Sequence, residues 1–151
     1  MKIAIGNDHA GVEMKNFVTA VLEKMGHEVI NFGTDTSDSV HYPMIAEKVA
    51  KAVVGGEAEK GVLICGTGIG ISIAANKIKG VRCALCSEPL SAELSRDHNN
   101  ANIVAMGARV IGLEQAGAIV KTFMSTEFSH GERHMQRVGM ISELENNQTI
   151  K

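Results

Sequence analysis

The sequence predicts a three-layer α/β/α sandwich, a single domain over residues 1–151, with a five-stranded parallel sheet between two layers of helices. Three observations carry this reading. Short apolar runs alternate with longer stretches of helical spacing along the chain. One of those runs, Gly61–Cys65 (GVLIC), is apolar throughout, as expected of a central parallel strand buried on both faces. A length of 151 residues with 44% hydrophobic content suffices for one sizeable core, and no linker or internal repeat marks a boundary.

The elements follow in order. Lys2–Gly6 is a short apolar run that breaks at Asn7-Asp8-His9, a strand feeding a turn. Val12–Met25 places apolar residues at 14, 17, 18, 21, 22 and 25, one face of a helix, and Gly26 stops it. Glu28–Phe32 reads as the second strand. Pro43 suits a helix start, and Ile45, Ala46, Val49, Ala50 and Val53 continue its face as far as Gly55-Gly56. After GVLIC, the glycine loop Gly66–Gly70 opens a helix that runs to about Ile78. Arg82–Cys86 is the fourth strand and Pro89–Asp97 a helix. Ile103–Met106 is the fifth strand, Leu113–Met124 a helix, and Glu132 to Asn146 the last helix. Such alternation gives a Rossmann-like, mostly parallel sheet with helices on both faces. Ligands in these sheets bind outside the carboxyl ends of the strands. That rule gathers Asp8-His9, Cys65–Gly70, Ser87-Glu88 and Gly107–Arg109 into one candidate site.

Composition narrows the function. Fifteen Lys+Arg against 17 Asp+Glu give a net charge of −2, without the basic excess of a non-specific nucleic-acid binder. Four Phe, one Tyr and no Trp leave few platforms for stacking bases. No run approaches the roughly 18 apolar residues of a membrane span. The amino terminus turns polar at Asn7, unlike a secretory signal, and three cysteines make no disulfide framework, so a reducing cytoplasmic location is expected.

The strongest local feature is Cys65-Gly66-Thr67-Gly68-Ile69-Gly70. Glycines let successive backbone N–H groups turn toward one point, where they can hold an anion, and a helix start also stabilises a nearby thiolate. The plain alternative is a tight structural turn. Three specific readings fail. The third glycine comes one place early for a dinucleotide fingerprint, no Gly-Lys-Ser/Thr follows for a P-loop, and position 71 is Ile71 where a cysteine phosphatase needs Arg. Cys83-x-x-Cys86 lies within an apolar strand without the second pair that a zinc site wants, and reads as structural. Asp8-His9 and His98-Asn99 each read equally well as a polar turn or helix end. Arg133 and Arg137 stand i, i+4 on a helix, a pairing suited to phosphate, or to a solvated face paired with Glu132 or Glu143.

Together these pieces are far more specific. Gly6-x-Asp8-His9-Ala10-Gly11, Asn31-Phe32-Gly33-Thr34, His41-Tyr42-Pro43, the Cys65–Lys77 segment, His98-Asn99, Gly107-x-Arg109-x-x-Gly112 and Arg133-His134-x-x-Arg137 occur in one order and spacing. The chain resembles the ribose-5-phosphate isomerase B family, within a wider group that includes the two galactose-6-phosphate isomerase subunits. The likeness runs from residue 1 to about 145. It implies interconversion of D-ribose 5-phosphate and D-ribulose 5-phosphate through an enediolate, in the pentose phosphate pathway. The resemblance makes Cys65 the base, gives the Gly66–Gly70 loop and the Thr67 hydroxyl the developing oxyanion, and assigns ring opening to His98. Asp8 and Asn99 would hold sugar hydroxyls, and His9, Arg109, Arg133 and Arg137 the phosphate. Tyr42, Gly66, Gly68, Ile69, Gly70 and Ser72 complete the expected substrate-binding set. The resemblance implies no metal and no organic cofactor. It also implies a homodimer with shared sites, the last helix reaching over the partner, with a tetramer left open.

Two departures matter. A branch of the family replaces the cysteine by glycine and uses a Glu six residues later; Ile71 and Cys65 put this chain in the cysteine branch. Glu132 stands where many relatives have glycine, which is expected to shift the loop before Arg133. Two other functions remain open. An isomerase of a phosphohexose, such as allose or galactose 6-phosphate, keeps the chemistry. A sugar-phosphate-binding module without catalysis would keep the arginines and lose Cys65 or His98.

Overall fold

The computed structural model describes residues 1–150. Five strands, β1 (Lys2–Asn7), β2 (Glu28–Asn31), β3 (Lys60–Cys65), β4 (Cys83–Leu85) and β5 (Ile103–Gly107), form one sheet in the order β2-β1-β3-β5-β4. Every pairing is parallel. Six helices connect and flank them: α1 (Val12–Lys24), α2 (Tyr42–Val54), α3 (Ile69–Ala75), α4 (Pro89–Asp97), α5 (Leu113–Ser125) and α6 (Glu132–Glu145).

Strand side chains alternate between two cores, which makes the fold three layers thick. Ile3, Ile5, Val62, Ile64, Val104 and Met106 pack on one face with apolar residues of α1 and α5. Ala4, Leu63, Cys65, Ile103 and Ala105 pack on the other with α2 and α3. β3 is buried at all six positions, as its unbroken apolar run requires.

The predicted elements are present with shifted ends. α3 stops at Ala75 rather than near Ile78 because Asn76 turns to the neighbouring strand. Its side chain donates to the Cys83 carbonyl (2.9 Å) and accepts the Cys83 N–H (2.8 Å). β4 is shorter than Arg82–Cys86 because the Arg82 N–H goes to Asn102 Oδ1 (2.8 Å) instead of a ladder. A short 3₁₀ turn, His9–Gly11, follows β1 and is capped by the Asp8 carboxylate. The segment after β2 is tied down by the buried Lys15 amine, which donates to the Thr34 carbonyl (2.9 Å) and pairs with Asp35. That lysine holds the Asp35 carboxyl below its usual range.

α6 differs from the other helices. None of its residues is buried. Glu145 accepts the Gly80 N–H (2.9 Å), and its last turns border a groove of about 610 Å³ lined in part by Cys83, Ile141 and Leu144. No helix is long and apolar enough to cross a membrane.

Candidate active site

The sheet order reverses between β1 and β3, the switch point at which open α/β sheets bind ligands. Asp8 and His9 follow β1, and Cys65 ends β3. Asp8 is buried, and its Oδ1 accepts the Ala10 N–H (2.9 Å), which fixes the carboxylate at the strand end. His9 Nδ1 accepts the Val40 N–H (3.3 Å), so the proton of the neutral ring sits on Nε2. Cys65 is 4% exposed, and its Sγ receives the Gly68 N–H (3.2 Å). Among the described thiols, Cys65 is the one that receives a backbone N–H. Burial pushes Cys83 up to about 12 and Cys86 up to about 11, so both stay protonated.

The loop after Cys65 needs its glycines. Gly68 has φ +77°, and a Cβ there would lie 2.8 Å from the Met106 carbonyl carbon. A Cβ on Gly107 would lie 2.6 Å from the Thr67 carbonyl, because β5 ends directly against the loop. Thr67 Oγ1 accepts the Ile69 N–H (3.2 Å). Among the described residues, the N–H groups of Gly66 and Thr67 meet no backbone acceptor. Arg109 crosses this loop: its N–H donates to the Gly66 carbonyl (2.9 Å), and its Nη1 lies 3.2 Å from where a Gly66 Cβ would stand. The Tyr42 ring covers Gly70, leaving no room for a side chain there. Ser72 is buried, and its hydroxyl donates to the Ile69 carbonyl (2.8 Å), inside its own helix. Ile69 is exposed beside the loop. Of Ser87 and Glu88, grouped with this site by the strand-end rule, Glu88 caps α4 and Ser87 ties to α5. The Glu88 carboxylate accepts the Ser91 N–H at the start of α4 (3.0 Å), and the Ser87 carbonyl accepts from Gln115 (2.7 Å).

The remaining candidates assemble elsewhere. His98 follows the end of α4, with Asn99 exposed next to it. The His98 ring packs on the His134 ring at 4.3 Å, and its Nε2 lies 3.2 Å from the Asp97 carboxylate. Arg133 and Arg137 are exposed on α6 and form no ion pair with Glu132 or Glu143 among the described residues. Glu132 opens α6 behind Gly131, where a carboxylate favours the helix start.

These two groups lie at opposite ends of the sheet. α4 begins beyond the carboxyl end of β4 and returns to the amino end of β5, so His98 sits near Ile103, whereas Cys65 is in register with Gly107. The five residues of β5, roughly 15 Å at about 3.3 Å each, separate them. The sequence motifs alone do not show this separation; the chain order of α4 and β5 does. In the sequence His134 has no role beyond its place between the two arginines, and the 36 residues that separate it from His98 hide the ring contact. Among the described residues no group of three His, Cys, Asp or Glu side chains is placed to hold a metal ion.

The sequence pattern of the ribose/galactose isomerase family matches residues 3–141. The chain belongs to this family. Ribose-5-phosphate isomerase B of Escherichia coli K12 is 51% identical over 144 residues, covering 95% of this chain and 96% of that protein. D-erythrulose-4-phosphate isomerase of Pectobacterium atrosepticum is 42% identical over 132 residues, 87% of each. The structure of Clostridium thermocellum ribose-5-phosphate isomerase B superposes with a TM-score of 0.95 at 52% identity, covering 97% of this chain and 99% of that one. The doubly wound fold and the strand-end loop are therefore those of a ribose/galactose isomerase.

Proposed function

We propose that the chain, a single domain, is a cytoplasmic ribose-5-phosphate isomerase that works as a homodimer. The observation that carries the reading is Cys65 at the end of the central strand, with the Gly68 N–H of the following glycine loop on its sulfur and the Gly66 and Thr67 N–H groups without a backbone acceptor. Isomerisation needs a base at one carbon and donors at the neighbouring oxygen, and this corner supplies both.

In the open-chain aldose, Cys65 Sγ removes the C2 proton. The electron pair forms the C1–C2 double bond and leaves negative charge on O1. The Gly66 and Thr67 N–H groups, with the Thr67 hydroxyl, stabilise that charge. The proton returns to C1, the O2 hydroxyl gives up its proton as O1 takes one, and C2 becomes the ketone. His98 opens the ring beforehand by protonating the ring oxygen as the C1 hydroxyl loses its proton. Asp8 and Asn99 hold hydroxyls. His9, Arg109, Arg133 and Arg137 hold the phosphate, and Tyr42, Gly68, Ile69, Gly70 and Ser72 shape the pocket.

A single copy holds Cys65 and His98 at opposite ends of its sheet, so the complete site takes Cys65 from one copy and the partner's His98. Exposed apolar side chains support this assembly. Leu90 and Leu94 of α4 and Met135, Ile141 and Leu144 of α6 are between 37% and 60% exposed, a surface suited to burial against a second copy. Three free cysteines support the cytoplasmic reading.

The test is a proton NMR time course of ribose 5-phosphate with the protein in D₂O. Ribulose 5-phosphate carrying deuterium is expected. Absence of both conversion and exchange rejects the pentose reading, and phosphohexoses and a four-carbon ketose phosphate are then ranked in the same assay.

A further inference from the structure

We propose that His134 is a positioning residue for ring opening, a neutral imidazole packed on His98 that ties the acid/base group to the arginine beside it. The inference rests on the reading of His98 given above.

Both nitrogens of His134 are engaged. Nδ1 lies 2.8 Å from Ser129 Oγ, and Arg133 Nε donates to Nε2 (3.4 Å). An acceptor at Nε2 places the ring proton on Nδ1, donated to Ser129. Ser129 Oγ also accepts the Gly131 N–H (3.3 Å), and the Ser129 N–H is tied to the Asp97 carbonyl (3.1 Å). The ring therefore stands on a turn anchored to the end of α4, the same place from which His98 emerges. It leans on the His98 ring at 4.3 Å and 38°, and the Asp97 carboxylate lies 3.2 Å from His98 Nε2.

Protonating His134 would turn the Nε2 acceptor into a donor facing Arg133. Partial desolvation, followed by the neighbouring His98 and Arg133 and by Arg137, holds its imidazole below the usual range; only Asp97 opposes this. Neutral His134 can thus sit beside a protonated His98 without repulsion. Because Arg133 touches the same ring, seating of a phosphate on Arg133 and the placement of His98 share one support.

Ribulose 5-phosphate separates this role from a structural one. Its C5 oxygen carries the phosphate, so it cannot close to a ring, and exchange of its C1 hydrogen for deuterium needs the base but no ring opening. In His134→Ala, conversion of ribose 5-phosphate is expected to fall about 10–100-fold. At saturating sugar, where a weaker hold of Arg133 on the phosphate shows only as a raised KM, deuterium exchange into ribulose 5-phosphate is expected to stay within about twofold. His134→Phe, a neutral ring, is expected to restore at least a third of the lost conversion. A parallel fall in both reactions of His134→Ala overturns the inference, as does an unchanged conversion. Failure of His134→Phe to recover overturns the neutral-ring account. Failure of the wild-type protein to convert or exchange either sugar overturns the isomerase reading, which is a different result.

Discussion

The two halves of the proposed site, one at the strand ends and one at the end of α4, are built by opposite means. Cys65, Asp8 and the glycine loop stand on β1 and β3, whose side chains are among the most buried in the molecule. Their geometry is fixed by backbone contacts too close for any Cβ, as at Gly68 and Gly107. His98, His134, Arg133 and Arg137 stand on α4 and on α6, a helix without a buried residue. One half is set by the core; the other is set by a few polar contacts and has a wet surface in the single chain. The proposed chemistry follows the same division, with proton abstraction in the rigid half, ring opening in the half that another copy can cover, and the phosphate shared between His9 and Arg109 of the first and Arg133 and Arg137 of the second.

Five measurements would break or sharpen this contrast. The largest effect is expected in the rigid half. Cys65→Ala should lower turnover at least about 10²-fold while leaving substrate binding intact; retained turnover removes Cys65 from the base role. Mixing Cys65→Ala with His98→Asn chains, each inactive alone, should restore activity to about a quarter of wild type. Random pairing makes half the dimers mixed, each with one whole site. No recovery after subunit exchange would place both residues of a site in one chain.

The next three concern stability. Gly107→Ala should cost about 1–3 kcal/mol in urea unfolding, because its Cβ would stand 2.6 Å from the Thr67 backbone. Cys83, in the groove beneath α6, tests the softer side through pH. Its thiol is raised to about 12 in the folded chain, so the unfolded chain ionises first. Stability is whole below about pH 8.5 and falls as pH rises toward 12, by at most about 1.4 kcal/mol per unit. Comparing urea midpoints of wild type and Cys83→Ala at pH 8 and pH 10 isolates that loss. The smallest effect is expected from Gly139→Ala in α6, where a Cβ meets nothing within 4 Å. A gain of about 0.5–1 kcal/mol is expected. A loss instead would show that a second chain packs on that face of the helix.

Much of this was legible beforehand, for definite physical reasons. The six long helices and five strands follow from periodicity and from Gly and Pro at their ends. The ends that moved are those set by side chains from distant segments: Asn76 closing α3 onto Cys83, and Asn102 taking the Arg82 N–H out of β4. Within the site, the Cys65–Gly70 loop is local in sequence, so its geometry could be anticipated from its glycines. Ser87-Glu88 could not be sorted from it, because a strand end and a helix cap use the same residue types. The His98–His134 contact joins two helices through a turn, and nothing in the spacing of either motif announces it.

The length of β5 has a consequence for anyone who handles the protein. If the proposed pairing of Cys65 with the partner's His98 holds, one half of the chemistry lies at each end of that strand and an isolated chain would own no working site. Active sites would then be a product of association, and their number would obey mass action. Below the concentration at which copies pair, the rate per chain falls in proportion to the amount present, and the rate per volume falls as its square. Serial dilution of a sample would therefore trace the pairing equilibrium as faithfully as a sizing column.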